Sequence, residues 1–341
     1  MENAKTRIFD NVFVTGGGGY VGNVLVPVLL KAGYAVHVFD VQFFGKNTLP
    51  LDHPRLKVTK GDIRDTRKLA KAFKSAEAVI HLACISNDPS FELDEDISKS
   101  INYSCFEPMV IAARNAGVKR FVYCSTSSVY GVSSQLNVTE DHPLVPLTLY
   151  SKFKGMCEPL LFKHQQPDFT CVTIRPATIC GYSPRCRLDL AVNILTNHAV
   201  NKGRITVFGG GQLRPNLHIE DMCDVYQLML EAPAAKIAGE TFNVGYQNNS
   251  IMEIAEIVRK VVEEEFPEKG HIEIVQTDSD DNRSYHINSD KIRRELSYQP
   301  LRTIEDAIRG MCRAFREGKL PDSFDDDRYY NVRTLKTLSG D

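Results

Sequence analysis

Short apolar runs recur along the first half of the chain, at Asn11–Thr15, Ala35–Asp40, Leu56–Lys60, Ala78–Ala83, Arg120–Ser125 and Thr170–Arg175. Several are nearly unbroken rather than alternating, which suits parallel strands covered on both faces. Between them, helical periodicity fills 20–32, 65–74, 96–116 and 150–165. Strand–helix alternation of this kind predicts an α/β fold built on a doubly wound parallel sheet.

Beyond about residue 180 the pattern loosens. Helices are expected near 189–201, 220–231, 250–265 and 303–317, and strands at Glu240–Val244 and His271–Val275. The Gly/Pro-rich stretch Val207-Phe-Gly-Gly-Gly-Gln-Leu-Arg-Pro215 breaks the series. This is too little for a second full sheet but enough for a small lobe over the strand ends. The expected division is 1–180 for the first domain, with a returning segment at about 216–245. The smaller α/β lobe takes 181–215 and 246–330, and 331–341 forms a C-terminal tail.

Composition narrows the function classes. The net charge is −2 and there is no basic stripe, so nucleic-acid binding has no electrostatic support. No apolar run approaches the ~18–20 residues of a membrane span. The nine cysteines are an odd number without a Cys-x-x-Cys pair, and most sit in apolar stretches. They read as free thiols of a reducing compartment rather than as disulfides or metal ligands, so a cytoplasmic location and no metal are expected.

The first strand runs into Thr15-Gly16-Gly17-Gly18-Gly19-Tyr20-Val21-Gly22, and a helix follows. A glycine loop in that setting lets backbone approach a pyrophosphate, and the helix N-terminus adds N–H groups and partial positive charge. Asp40 ends the second strand, eighteen residues past Gly22. A carboxylate there accepts from both ribose hydroxyls and repels a 2′-phosphate, so NAD is expected rather than NADP. Asp62 and Ile63, after the third strand, are placed to meet the adenine.

Tyr150 and Lys154 stand four apart, on one face of a helix. A phenol with the ordinary pKa of about 10 is roughly 0.1% ionised at pH 7. Acting as a base, it needs on the order of 4 kcal/mol of help, which a nearby ammonium and an oxidised nicotinamide can provide. Thr126, in Ser125-Thr-Ser-Ser-Val-Tyr-Gly131, offers a hydroxyl to the reacting oxygen. By itself Tyr-x-x-x-Lys is a common surface-helix pair; the order of the motifs gives it meaning.

That order resembles the extended short-chain dehydrogenase/reductase family, in its nucleotide-sugar epimerase/dehydratase branch, over nearly the whole chain. The resemblance implies a Rossmann-like sheet and a homodimer through the helices near 96–116 and 150–165, where Ile101, Phe106, Met109, Phe153, Met156 and Leu160 lie. His81-Leu82-Ala83 matches the fourth-strand signature, and Arg175-Pro176 the sixth strand, where backbone passes the nicotinamide. Glu158 completes the helix of Tyr150 and Lys154. The resemblance makes Thr126, Tyr150 and Lys154 catalytic. It puts Gly16, Gly19, Tyr20, Val21, Leu82, Ala83 and Pro176 on the cofactor, and Arg214 and Arg283 on a sugar-nucleotide diphosphate. Asn193 is placed with them on the substrate side.

Departures from the pattern narrow the reaction. Dehydratases of this branch carry Asp-Glu after the catalytic threonine, and related decarboxylases a Glu at the second position; here stand Ser127 and Ser128. The hydroxyl pair is similar to that of sugar 4-epimerases. The segment Thr178–Leu190 is not the usual epimerase version, which predicts an unusual substrate pocket. The expected function is C4 epimerisation of a nucleotide-diphosphate sugar through a 4-keto intermediate. A 4-dehydrogenase or ketoreductase shares the hydride step, and a non-catalytic NAD-binding scaffold is the reading from another class.

Overall fold

The computed structural model describes residues 7–44, 48–133, 135, 137–279 and 284–339. Six strands arise in the first half: β1 (Asn11–Thr15), β2 (Ala35–Asp40), β3 (Leu56–Lys60), β4 (Ala78–His81), β5 (Arg120–Cys124) and β6 (Thr170–Pro176). The second half adds β7 (Thr178–Cys180), β8 (Arg204–Phe208), β9 (Leu213–His218), β10 (Glu240–Val244), β11 (Gln247–Ser250) and β12 (Glu273–Thr277). Seven of these form one parallel sheet in the order β10-β6-β5-β4-β1-β2-β3. The order reverses between β1 and β4, so the crevice at their carboxyl ends is where ligands of such sheets bind.

Both faces of this sheet are covered, as the unbroken apolar strands require. On one side Leu25 and Leu29 of helix Gly22–Lys31 meet Met222, Tyr226 and Met229 of helix Ile219–Glu231. On the other, Leu69 and Phe73 pack with Phe106, Met109, Cys157 and Leu161. Phe106 and Met109, expected at a subunit interface, are fully enclosed here and belong to the core. The expected helix over 96–116 is broken into Glu95–Lys99, a wider π turn at Ser100–Ser104, and Phe106–Asn115.

The lobe holds more sheet than its sequence predicts. β11-β9-β7 form a three-stranded sheet and β12-β8 a two-stranded one. In the Gly/Pro stretch, where no strand was expected, β9 carries Pro215. It fits because β9 meets only β11 at that residue; the pairing with β7 begins at Asn216. Helices Ala191–Lys202, Ile251–Glu265 and Ile304–Arg316 close the lobe over Val192, Ile205, Val258 and Ile308. Each such side chain contributes roughly 1.5–3 kcal/mol by leaving water. Within the tail, Asn331–Ser339 is a helix whose first residue is buried.

No helix among the described residues is long and apolar enough to cross a membrane. All nine cysteines are free thiols, seven of them buried.

Candidate active site

A cavity of about 630 Å³ opens at the carboxyl ends of the large sheet, between it and the lobe. Its floor begins at Gly16, whose φ of +72° favours glycine and whose Cβ, if present, would sit 2.6 Å from the backbone nitrogen of Ala83. The glycine is thus required by the turn Leu82–Ala83 against it as much as by room for a ligand. Gly22 starts the following helix, and a Cβ there would collide with the Gly17 carbonyl. Beneath the loop, Thr15 Oγ1 and His81 Nδ1 lie 2.6 Å apart, and burial pushes the imidazole down to about 3. His81 is therefore a neutral framework group.

Asp40 faces the loop. Its Oδ2 accepts from Gly18 N–H at 2.9 Å and its Oδ1 from Gln42 N–H at 2.6 Å. Burial pushes the carboxyl up, while those N–H groups and the charge of Arg185 oppose the rise. Asp62 is gripped by the Arg64 guanidinium at 2.6–3.0 Å, which holds it below the usual carboxylate range. Ile63, Leu82, Ala83, Val21, Gly19 and Pro176 also line the cavity. A bent anionic strand of atoms has N–H groups of the loop for its phosphates and a carboxylate at the end of β2 for its ribose, so these residues fit NAD.

The reacting end lies beside β5. Thr148 caps helix Leu149–Phe162 through a reciprocal pair with Ser151, which sets Tyr150 in the first turn and Lys154 one turn on. Tyr150, Lys154 and Thr126 all line the cavity. Thr126 Oγ1 lies 2.9 Å from Ser128 Oγ, and Ser127 and Ser128 put hydroxyls where a carboxylate pair is absent. The helix is anchored by Glu158, which accepts from Arg175 Nε at 3.0 Å and Nη2 at 2.6 Å and from Ser125 Oγ at 2.6 Å.

Electrostatics around Tyr150 differ from the sequence argument. Burial, then the Cys84 and Cys124 thiols and Asp88, pushes the phenol well above its ordinary value. The charge of Arg187 opposes this. The Lys154 ammonium donates to the Cys124 carbonyl and stands 4.6 Å from the Tyr123 ring centroid. With the protein's own charges alone, the phenol keeps its proton.

Asn193 is corrected. It is completely buried, accepts from Gly181 N–H at 2.9 Å, and donates to the Tyr20 hydroxyl at 3.1 Å and the Arg187 carbonyl at 2.8 Å. All its capacity goes to the framework, and it does not line the cavity. Tyr20 lines it, but its hydroxyl donates to the Gly181 carbonyl at 2.6 Å, so it also ties the glycine loop to the lobe. Arg214, on β9, does reach the cavity. Arg283 lies outside the described residues.

Sequence reasoning missed a polar wall supplied by the atypical segment 178–190 and the last helix. Arg187 grips Asp189 through Nε at 2.9 Å and Nη2 at 3.2 Å and reaches Ser86 Oγ at 3.3 Å. Asn331 donates from its backbone to Asp189 at 3.2 Å and from its side chain to Ser86 at 2.9 Å. Only the departure of 178–190 from the usual pattern signalled this; nothing marked Asn331. Phe208 on β8, 62% exposed, lines the far end of the cavity.

Known proteins are similar to this chain. The chain is 29% identical over 280 residues to a UDP-glucose 4-epimerase of Lactobacillus helveticus, covering 75% of this chain and 83% of that one. It is 27% identical over 310 residues to a dTDP-glucose 4,6-dehydratase of Streptomyces griseus, covering 87% and 92%. The crystal structure of the dTDP-glucose 4,6-dehydratase DesIV from Streptomyces venezuelae, which has NAD bound, superposes with a TM-score of 0.79 at 25% identity, over 91% and 98% of the two chains. The family model for NAD dependent epimerases and dehydratases matches residues 12–245. With the glycine loop, Asp40 and the Thr126–Tyr150–Lys154 group all on one cavity, the chain belongs to the NAD dependent epimerase/dehydratase family.

Proposed function

We propose that this enzyme is a nucleotide-diphosphate-sugar 4-epimerase. One observation carries the choice within the family: Ser127 and Ser128 stand beside Thr126 where elimination of water would need an acid and a base. When bound, NAD supplies a reversible hydride acceptor. The chain supplies the proton chemistry. Tyr150 Oη takes the proton of the C4 hydroxyl and returns it after the sugar has turned. Thr126 Oγ1 donates to the sugar oxygen as it becomes a carbonyl, and Lys154 holds the nicotinamide ribose. Arg214, with Arg283, pairs with the diphosphate, as guanidinium forks suit phosphate oxygens.

Asp88 gives a second reading some support. It lines the cavity, accepts from Thr148 Oγ1 at 2.6 Å and acts by its charge on Tyr150, so a carboxylate belongs to the reacting end of the site. A dehydratase would use it as its acid. Incubation with UDP-, GDP- and dTDP-hexoses, followed by NMR of the products, decides. A C4 epimer is the expected product. A 4-keto-6-deoxy sugar would replace this reading by dehydration, and a released 4-keto sugar with NADH by net oxidation.

We also infer a cytoplasmic homodimer acting in carbohydrate biosynthesis. Nine free thiols suit a reducing compartment. Helices Glu95–Lys99 and Leu149–Phe162 present exposed Ile97 and Met156 beside the stacked rings of Phe91 and Phe153. Light scattering at micromolar concentration should return twice the chain mass; a monomer mass would remove the dimer.

A further inference from the structure

Arg185 is an enclosed cation on which the Asp189 and Asp40 carboxylates act through charge alone. It is 7% exposed, its Nη2 donates to the neutral Asn331 Oδ1 at 2.5 Å, and its Nε has no hydrogen-bond partner. Among the described residues no carboxylate pairs with it. The acid nearest in sequence, Asp189, is gripped by Arg187 through two bonds. Burial and the charge of Arg187 push the guanidinium down to about 9. Enclosing a charge this way costs free energy unless an anion comes to it.

Its position says which anion. Ser183 Oγ donates to the Tyr20 carbonyl at 2.8 Å, and the Tyr20 hydroxyl returns a bond to Gly181, so the segment carrying Arg185 is fastened to the glycine loop. The guanidinium carbon lies 3.6 Å from the centroid of the Phe44 ring, just past Asp40 on the loop after β2. Arg185 and Phe44 both line the cavity. The cation therefore belongs to a segment fastened to the phosphate-binding turn, and its charge acts on the ribose-binding carboxylate. Arg214, which we assign to the sugar nucleotide, comes from β9 in the lobe instead.

We propose that Arg185 is a binding residue for the diphosphate of the dinucleotide, brought to the glycine loop by the lobe and steadied by Asn331 of the C-terminal helix. The diphosphate is then held from two sides, by loop N–H groups and by a guanidinium fork. This rests on the NAD dependence and not on the choice of sugar reaction.

Calorimetric titration of wild type and Arg185→Gln with NAD⁺, ADP and adenosine tests it. Loss of a charge-assisted contact should weaken NAD⁺ and ADP about ten- to a hundredfold and leave adenosine unchanged. Arg185→Lys should fall between, and Asn331→Ala, which leaves the cation unsteadied, should lose a few-fold. Melting without ligand gives a second reading. Arg185→Gln should melt no lower than wild type, while its gain on adding NAD⁺ shrinks. Equal losses for adenosine and NAD⁺, a loss confined to UDP, or a lower unliganded melting point with unchanged NAD⁺ affinity would each overturn the assignment. Greater loss for NADP⁺ than for NAD⁺ would move the contact to a 2′-phosphate and overturn it too. If wild type itself binds no NAD⁺, the cofactor reading fails first, and that outcome is distinct from a silent Arg185→Gln.

Discussion

A single phenol illustrates how far side-chain identity reaches. Tyr150 and Thr126 were legible because their spacing and order are tied to the strands around them. The cation acting on Tyr150 was not, because Arg187 comes from a segment whose path no periodicity discloses. Tyr150→Phe should keep the fold and lose roughly 10²–10⁴ in kcat, the range for a positioned acid–base group. Loss by less than tenfold in stopped assays would remove Tyr150 from the chemistry. The Arg187 charge favours phenolate, so taking it away makes the phenol hold its proton more tightly. Arg187→Gln should therefore shift the rising limb of the kcat/KM–pH profile to higher pH, with Arg187→Lys shifted less. Asn193 shows the opposite error: a polar residue near a site, taken up by backbone groups and the Tyr20 hydroxyl of the framework.

Among the elements, strands of the large sheet were readable because burial on both faces leaves no alternation to confuse. Of the lobe strands β12 was foreseen and β8, β9 and β11 were not, since these carry Gly or Pro nearby and what fixes them is pairing with distant segments. The catalytic helix owes its seat to a contact that sequence only hinted at, the buried pair Glu158–Arg175. Glu158→Gln leaves that guanidinium without its counter-charge and should cost about 3–5 kcal/mol in urea unfolding. Replacing both partners by apolar residues should cost less than the single change. If the double variant is the worse of the two, the pair is worth more than its desolvation.

For the molecule entire, acid sensitivity follows from two imidazoles, His81 enclosed and His37 half-buried. Burial pushes His81 to about 3 and His37 to about 4, with the Lys154 and Lys57 charges adding to it. The unfolded chain takes up protons below about pH 6.5 that these folded sites refuse. Their contribution to stability is full above that value and is lost as the pH falls towards the folded values. For His81 the slope is up to about 1.4 kcal/mol per pH unit. Unfolding midpoints at pH 7.5, 6 and 5 should fall, and His81→Gln should flatten the fall; an unchanged slope would remove His81 from it. The order of strands, by contrast, was never in the pattern itself; it is set by the parallel pairing of strands distant in the chain.

The backbone passes from the large sheet into the lobe at Pro176–Thr178, comes back at His218–Ile219, and departs again between Val244 and Gln247. After β12 it returns once more, where Ile287 and Ile292 join the core of the large sheet, before helix Ile304–Arg316 closes the lobe. The first three passages adjoin one another, since β10 lies on β6, and β9 joins β7 to β11. Adjacent tethers of this kind make a stiff seam rather than a swivel. A lobe so sewn in cannot be grafted from a relative at one junction. Exchanging the recognition surface of such an enzyme means splicing every crossing together, or else changing it one side chain at a time.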